Sequence, residues 1–396
     1  MMKNLLYILF PVFLLSSCCQ KQPMDDVVNN ALKFAEKQSL LLAEKYADND
    51  TVLPRSFEHG ENTTSVSRWW TSGFFPGVLW YLYEDSQNEK ILDYAKLYTS
   101  RVEKEKFNTK NHDVGFMLYC SFGNGFRLQN DSAYKAVLLQ GASSLSTRYN
   151  PNVGLIRSWD SKRDIWDYPV IIDNMMNLEL LLWAGKNSTE KDYRAIAISH
   201  ADKTMENHYR RDMSCFHVVS YDTITGLPHV KQTHQGYSDE SAWARGQAWG
   251  LYGYTLMYRE TRDIKYLHMA IKIARFMIHH KNMPEDMVPY WDYDAPGIPN
   301  EPRDASTAAL MASALIELSG YVQDKRLEKE YLDVTEKQIR SLASPAYTAK
   351  LGENGNFILM HSTGNYPQNS EIDAPLTYAD YYYIEALMRW KKKFMN

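Results

Sequence analysis

Apolar residues recur along this chain in two alternating patterns. Six segments read as helices that are apolar nearly all round, each opening with Gly, aromatic or polar residues just after a loop. They begin near Trp70 (WTSGFFPGVLWYLYE), His112 (HDVGFMLYCSFGNGF), Asp173 (DNMMNLELLLWAG), Ser241 (SAWARGQAWGLYGYTLMY), Asp304 (DASTAALMASALIELSGY) and Thr377 (TYADYYYIEALMRW). Before each of them, residues 25 to 46, 91 to 105, 131 to 148, 190 to 208, 263 to 281 and 324 to 343 carry apolar residues at three-to-four spacing on charged backgrounds, as in YLHMAIKIARFMI. That spacing predicts one-sided helices. A helix apolar all round is buried on both sides, whereas a one-sided helix faces water. Six such pairs predict an all-α fold, an (α/α)6 barrel with the apolar set inside and the amphipathic set outside. An open solenoid of the same hairpins needs polar capping repeats, and neither end of the chain carries them.

The same pattern places the chemistry. In each inner segment the polar and aromatic residues stand at the N-terminal end and plain Leu, Ala and Met follow, so one mouth of the barrel is expected to collect the functional groups. A ring of helix N-termini there favours an anionic ligand. Residues 239 to 258, DESAWARGQAWGLYGYTLMY, fit an acidic sugar: Trp243 and Trp249 offer flat apolar faces, Arg245 a planar fork for a carboxylate, and Gln247 a donor and an acceptor. Composition agrees, since aromatic residues make up 13% of the chain, more than a core alone usually demands. With a formal charge of -4 and no basic block before the terminal Lys391 to Lys393, nucleic acid is excluded as an expected partner.

Two carboxylates stand at inner-segment starts, Asp113 in NHDVGF and Asp173 in PVIIDNMMNL. The apolar flank of Asp173 should raise its pKa by desolvation, opposed in part by the helix dipole, which suits a general acid that later acts as a base. The competing reading for both is a helix N-cap. None of the 11 histidines forms an HExxH or similarly tight ligand set, so neither a metal nor another cofactor is expected. No Gly-rich phosphate loop and no serine-nucleophile motif appears. Cys120 and Cys215 are the only cysteines beyond the N-terminal region, expected as small buried residues, with a single bridge between them left open.

The first residues, MMKNLLYILFPVFLLSSC, resemble a bacterial lipoprotein signal with a lipobox before Cys18. The expected organisation is a signal peptide over 1-17, a lipid-anchored tether over 18-24 beginning at the acylated Cys18, and one catalytic barrel domain over 25-396. Such a protein touches the membrane through its lipid anchor only and sits in the bacterial cell envelope facing the periplasm. Its oligomeric state is not legible.

WTSGFFPG at 70 to 77, HDVGF at 112 to 116, IIDNMMNL at 171 to 178, THQG at 233 to 236, SAWARGQAWGLYG at 241 to 253 and YADYYYIEAL at 378 to 387 resemble, in order, the motif series of the unsaturated glucuronyl hydrolases, glycoside hydrolase family 88. The resemblance implies an (α/α)6 barrel that removes a 4,5-unsaturated uronic acid from the non-reducing end of lyase-generated glycosaminoglycan oligosaccharides, without metal or cofactor. It implies Asp173 as the catalytic aspartate and Asp113 as the second aspartate. It further implies His217, His234, Gln235, Arg245, Trp249 and Trp70, or the adjacent Trp69, as substrate contacts. Arg245 or the histidines would hold the uronate carboxylate. The implied reaction protonates C4 of the vinyl ether and adds water at C5, so Asp113 need not be a nucleophile. The alternatives are an unsaturated rhamnogalacturonyl hydrolase acting on pectin fragments, whose family tends toward Gly-Asn-Gly-Trp where this chain has GQAW, and a non-catalytic lipid-anchored glycan-binding protein.

Overall fold

A computed structural model describes residues 21 to 162 and 164 to 395. The expected signal peptide and Cys18 lie outside the described residues. Helices alternate between two concentric rings along the chain. Outer α1 (Met24–Tyr46) precedes inner α2 (Phe74–Ser86), and outer α3 (Glu89–Ser100) precedes inner α4 (Val114–Leu118), which runs through a π-helical turn (Tyr119–Gly123) into α5 (Asn124–Gln129). Outer α6 (Ser132–Ser146) is followed by a 3-10 turn (Ile172–Asn177) that leads into inner α7 (Leu178–Asn187). The last three pairs are α8 (Tyr193–Asn207) with α9 (Ala244–Thr261), α10 (Ile264–Ile278) with α11 (Ala305–Ser319), and α12 (Lys325–Leu342) with α13 (Thr377–Phe394). Each inner helix packs on the next, and α13 packs back on α2, which closes the (α/α)6 barrel.

Composition explains which helix goes where. In α11 every residue from Ala305 to Ile316 is buried, and its Ala, Ser and Thr side chains let α9, α12 and α13 approach closely. In α12 burial is confined to the stripe Tyr331, Val334, Thr335, Gln338, Ile339 and Leu342, the i, i+3, i+4 face of a one-sided helix.

The two ends of the barrel differ. At one end inner helices turn directly into outer ones through Gln87-Asn88, Asn130-Asp131 and Arg262-Asp263. The first residue of each pair ends a helix in the left-handed conformation, and the second caps the next helix by accepting a backbone N–H. At the other end the outer-to-inner connections are long and carry all the strands among the described residues. These are the hairpin β1 (Leu53–Glu58) and β2 (Glu61–Ser65), the pair β3 (Tyr149–Asn150) and β4 (Leu155–Ile156), the antiparallel sheet β5 (Pro169–Ile171), β6 (Val218–Tyr221) and β7 (Pro228–Gln232), and the hairpin β8 (Ser362–Asn365) and β9 (Ser370–Ala374). The purely helical expectation misses these strands. They are short and interrupted by polar loops, so no sustained alternation marks them. Cys120 and Cys215 are buried and free.

Candidate active site

The sheet β5–β6–β7 builds the centre of the site at the strand-rich mouth. Ile171 pairs with Val218, and Val218 with Gln232, so the strand ends bring together Asp173 just after β5, His217 just before β6, and His234 and Gln235 just after β7. The Ile172 N–H donates to the His217 carbonyl at 3.1 Å. The backbone N–H groups of His234 and Gln235 donate to His217 Nδ1 at 3.0 and 3.1 Å. Two donors on Nδ1 leave the ring proton on Nε2. That Nε2–H faces Asp173, 3.6 Å from its Oδ2, and neither atom has completed a hydrogen bond. Burial holds His217 well below the usual histidine value, so the ring is neutral.

The apolar walls that β5 and the 3-10 turn supply push Asp173 up to about 7, against the opposing pull of the Arg245 charge, of backbone N–H and of the nearby Trp249 indole. Asp113 lies across from it. Gly115 allows this approach, because a Cβ there would stand 2.6 Å from the Asn177 backbone, and Asn177 Oδ1 accepts the Phe116 N–H at 2.9 Å. Burial and the Asp173 charge push Asp113 up to about 8, opposed by Arg148, Asn177 and Asn111. Neither aspartate serves as a helix cap. Asp113 precedes α4 without a side-chain cap bond, and Asp173 sits inside the 3-10 turn. The cap reading therefore does not account for them.

A cavity of about 610 Å³ opens at this mouth. Of the expected residues, Trp70, Asp113, His234 and Gln235 line it. Asp173, His217, Arg245 and Trp249 lie behind its floor, 8%, 2%, 2% and 0% exposed. Both adjacent tryptophans reach the cavity: Trp70 is packed edge-on against Phe74 and Phe116 and tilted against Tyr378, while Trp69 is 39% exposed with Arg55 stacked on one face.

The structure corrects the reading of the α9 segment. Arg245 does not present a free fork. Its Nη1 donates to Asp304 Oδ2 at 2.9 Å and to the Thr363 carbonyl, and its Nη2 to the Gly364 carbonyl and, at 3.4 Å, to Gln235 Oε1. The buried carbonyls of β8 need donors, and Arg245 supplies them, bolting that hairpin to α9 and α11. Trp249 packs against Phe116 and Tyr382 rather than facing the cavity, and Trp243 lies on the His217 ring at 4.6 Å. Gln247 accepts the Cys215 N–H at 3.0 Å and donates to the Met213 carbonyl at 3.1 Å, a structural clamp. The aromatic residues that reach the cavity belong to other segments. Trp159 stands edge-on to His234 at 5.2 Å and lines the cavity with Trp69, while Tyr378 is a buried part of the wall. The sequence signal that would have found Trp159 and Lys162 is SWDSKRDIW, an aromatic and charged loop outside any helical pattern.

Similarity to known proteins runs over most of the chain. The Glycosyl Hydrolase Family 88 model matches residues 47 to 394. An unsaturated glucuronyl hydrolase of Formosa agariphila is 50% identical over 82% of this chain and 80% of its own length. An unsaturated chondroitin disaccharide hydrolase of Streptococcus agalactiae is 30% identical over 96% of this chain and 94% of its own. The crystal structure of an unsaturated glucuronyl hydrolase specific for heparin superposes with a TM-score of 0.91 at 46% identity, over 94% of this chain and 99% of that one. The chain is a glycoside hydrolase and belongs to glycosyl hydrolase family 88.

Proposed function

We propose that this enzyme removes a 4,5-unsaturated uronic acid from the non-reducing end of glycosaminoglycan disaccharides by hydrating the C4–C5 double bond, with Asp173 as the proton carrier. The carrying observation is a carboxyl raised to about 7 that faces the neutral Nε2–H of His217. Such a carboxyl is protonated often enough at neutral pH to act as an acid and is basic enough afterwards to take the proton back. Asp173 gives its proton to C4, leaving an oxocarbenium-like centre at C5. Water adds its oxygen to C5 and returns a proton to Asp173. The hemiketal then opens by breaking the bond between C5 and the ring oxygen, and the hemiacetal left at C1 releases the second sugar. His217 Nε2–H stabilises Asp173 in its charged, basic state, and burial favours the acid state. Of the relatives named above, one is a chondroitin disaccharide hydrolase and one is specific for heparin, which supports that substrate class.

Turnover in deuterated water tests the reaction: a deuteron on C4 of the released uronic acid is expected, and a product without it would remove the hydration mechanism. The chain is further proposed to be acylated at Cys18 and held at the envelope, facing the periplasm. Cys18→Ser should then abolish incorporation of a labelled fatty acid, and retained labelling would refute the anchor.

A further inference from the structure

His112 is fully buried beside Asp113 and does not line the catalytic cavity, so whatever it does for the reaction passes through a neighbour. Its Nε2 stands 3.3 Å from Asp113 Oδ1. Burial, together with the Arg148 charge, holds the ring down to about 3, so it is neutral and carries a single proton. Asn174 bears on where that proton sits. Its Nδ2 donates to the Ile156 carbonyl at 2.8 Å, which leaves the buried, unpartnered Oδ1 as the end of the amide that meets the His112 ring. An amide oxygen can only accept, so the ring must donate to it.

A neutral ring that donates on one side accepts on the other, and an acceptor beside a carboxyl group is satisfied only if the carboxyl is protonated. The other neighbours of Asp113 fit that form. Asn177 and Asn111 stand beside it with their amide oxygens already taken, by the backbone N–H groups of Phe116 and Asp113 at 2.9 Å each, so their NH2 groups are the ends that meet the carboxyl. One acceptor and two donors match a carboxylic acid, whose O–H donates and whose C=O accepts, whereas a carboxylate would face a lone pair. We propose that His112 is a positioning residue: it gives its Nδ1 proton to Asn174, accepts the Asp113 proton at Nε2, and so decides which of two facing carboxyls stays neutral. The inference rests on the proposed function for the role of Asp173. Two facing carboxylates resist ionising together, so a neutral Asp113 lets Asp173 give its proton to C4 without a second negative charge across from it. The charged groups that face the pair are Asp173 and Arg148, and Arg148 is itself turned to Asp160 at 3.0 Å; the nearby rings of His200 and His217 are neutral.

Nitrogen-15 NMR of the histidine rings reads the tautomer in the wild-type enzyme, with His112→Gln supplying the assignment. The His112 proton is expected on Nδ1, opposite to His217, and a proton on Nε2 would overturn the proposal whether or not bulkier variants fold. Infrared spectra at pH 7 should show a protonated-carboxyl band that Asp113→Asn removes, and a wild type without that band overturns it too. The band should persist in His112→Gln, whose amide again pairs one acceptor with one donor, and be lost in His112→Phe, which fills the space and accepts nothing. In His112→Phe the Asp113 charge appears first and tightens the hold of Asp173 on its proton. The alkaline limb of kcat/KM should then move up by about one pH unit while kcat falls about tenfold, and His112→Gln should keep both near wild type. A His112→Phe enzyme that keeps the band and the limb, or loses rate with the limb unmoved, has lost only packing, and the proposal falls. The tautomer and the band need no turnover, so they stand apart from the hydration reading that the deuteron on C4 tests.

Discussion

Two buried polar clusters share the axis of this barrel, and they differ in whether their partners are present. Toward the short-turn end, Arg259 bonds Glu179 and Glu317, Arg389 bonds Glu317 and Tyr252, and Glu385 accepts from Tyr81 at 2.8 Å, Tyr252 at 3.0 Å and Ser313 at 2.5 Å. Toward the mouth, Asp173 Oδ2, His217 Nε2, Trp249 Nε1 and both ring nitrogens of His112 are buried without a hydrogen-bond partner. Buried polar atoms in a folded protein are nearly always paired, so a concentration of unpaired ones marks where a ligand or water completes the set. The lower cluster is scaffold; the upper one is built around something it must bind.

The largest effect separates the clusters by activity. Asp173→Asn keeps the size of the side chain but removes the proton, and kcat is expected to fall about a thousandfold, within the range attributed to a positioned general acid. The melting temperature should stay within a few degrees of wild type. Substantial turnover by the folded variant would take Asp173 out of the acid role and leave the unpaired cluster without its catalytic meaning.

The converse experiment strikes the lower cluster. Arg259→Met strands the Glu179 carboxylate and leaves Glu317 to Arg389 and Tyr321, and should cost about 3 kcal/mol in stability, read by denaturant unfolding, while kcat of the folded fraction stays near wild type. An Arg259→Met enzyme as stable as wild type, or one that is stable but inactive, would erase the division between scaffold and site.

His217 offers a finer cut. Its tautomer is fixed by two backbone donors, so His217→Gln removes an N–H aimed at Asp173 without removing a charge. That N–H favours the carboxylate form. Losing it should raise the Asp173 pKa further and move the alkaline limb of kcat/KM upward by about half a pH unit, while the rate falls about tenfold. A merely structural histidine would lower the rate and leave the limb where it was.

Much of the fold was legible because the barrel is written in a period the sequence can carry over many residues. The expected one-sided segment 324 to 343 and the observed Lys325–Leu342 agree, as do 263 to 281 and Ile264–Ile278. The site was legible only in part. That Asp113, Asp173, His217, His234 and Gln235 meet at one mouth followed from their places at segment starts and in motifs, but the sheet that joins them did not, because β5 is three residues long and β6 four. Arg245 was read as a fork open to ligand. No sequence pattern announces that its partners are the Thr363 and Gly364 carbonyls, more than a hundred residues away.

The smallest effect follows from the sign of the Asp173 shift. A carboxyl whose folded value is raised to about 7 binds its proton more tightly folded than unfolded, where the ordinary value is 3.8. Between those values the folded state holds more protons than the unfolded one, so this group's contribution is fully favourable below pH 3.8 and is lost as pH rises through about 7. Asn cannot ionise and escapes that penalty. Asp173→Asn should therefore match wild type in stability near pH 4 and exceed it at pH 8, the opposing pulls of Arg245 and of the Trp249 indole being already contained in the raised value. Unfolding curves of both proteins across that range decide the matter. If the difference is absent or runs the other way, burial does not set the Asp173 proton affinity, and the unpaired cluster at the mouth holds an ordinary carboxylate rather than an acid waiting for substrate.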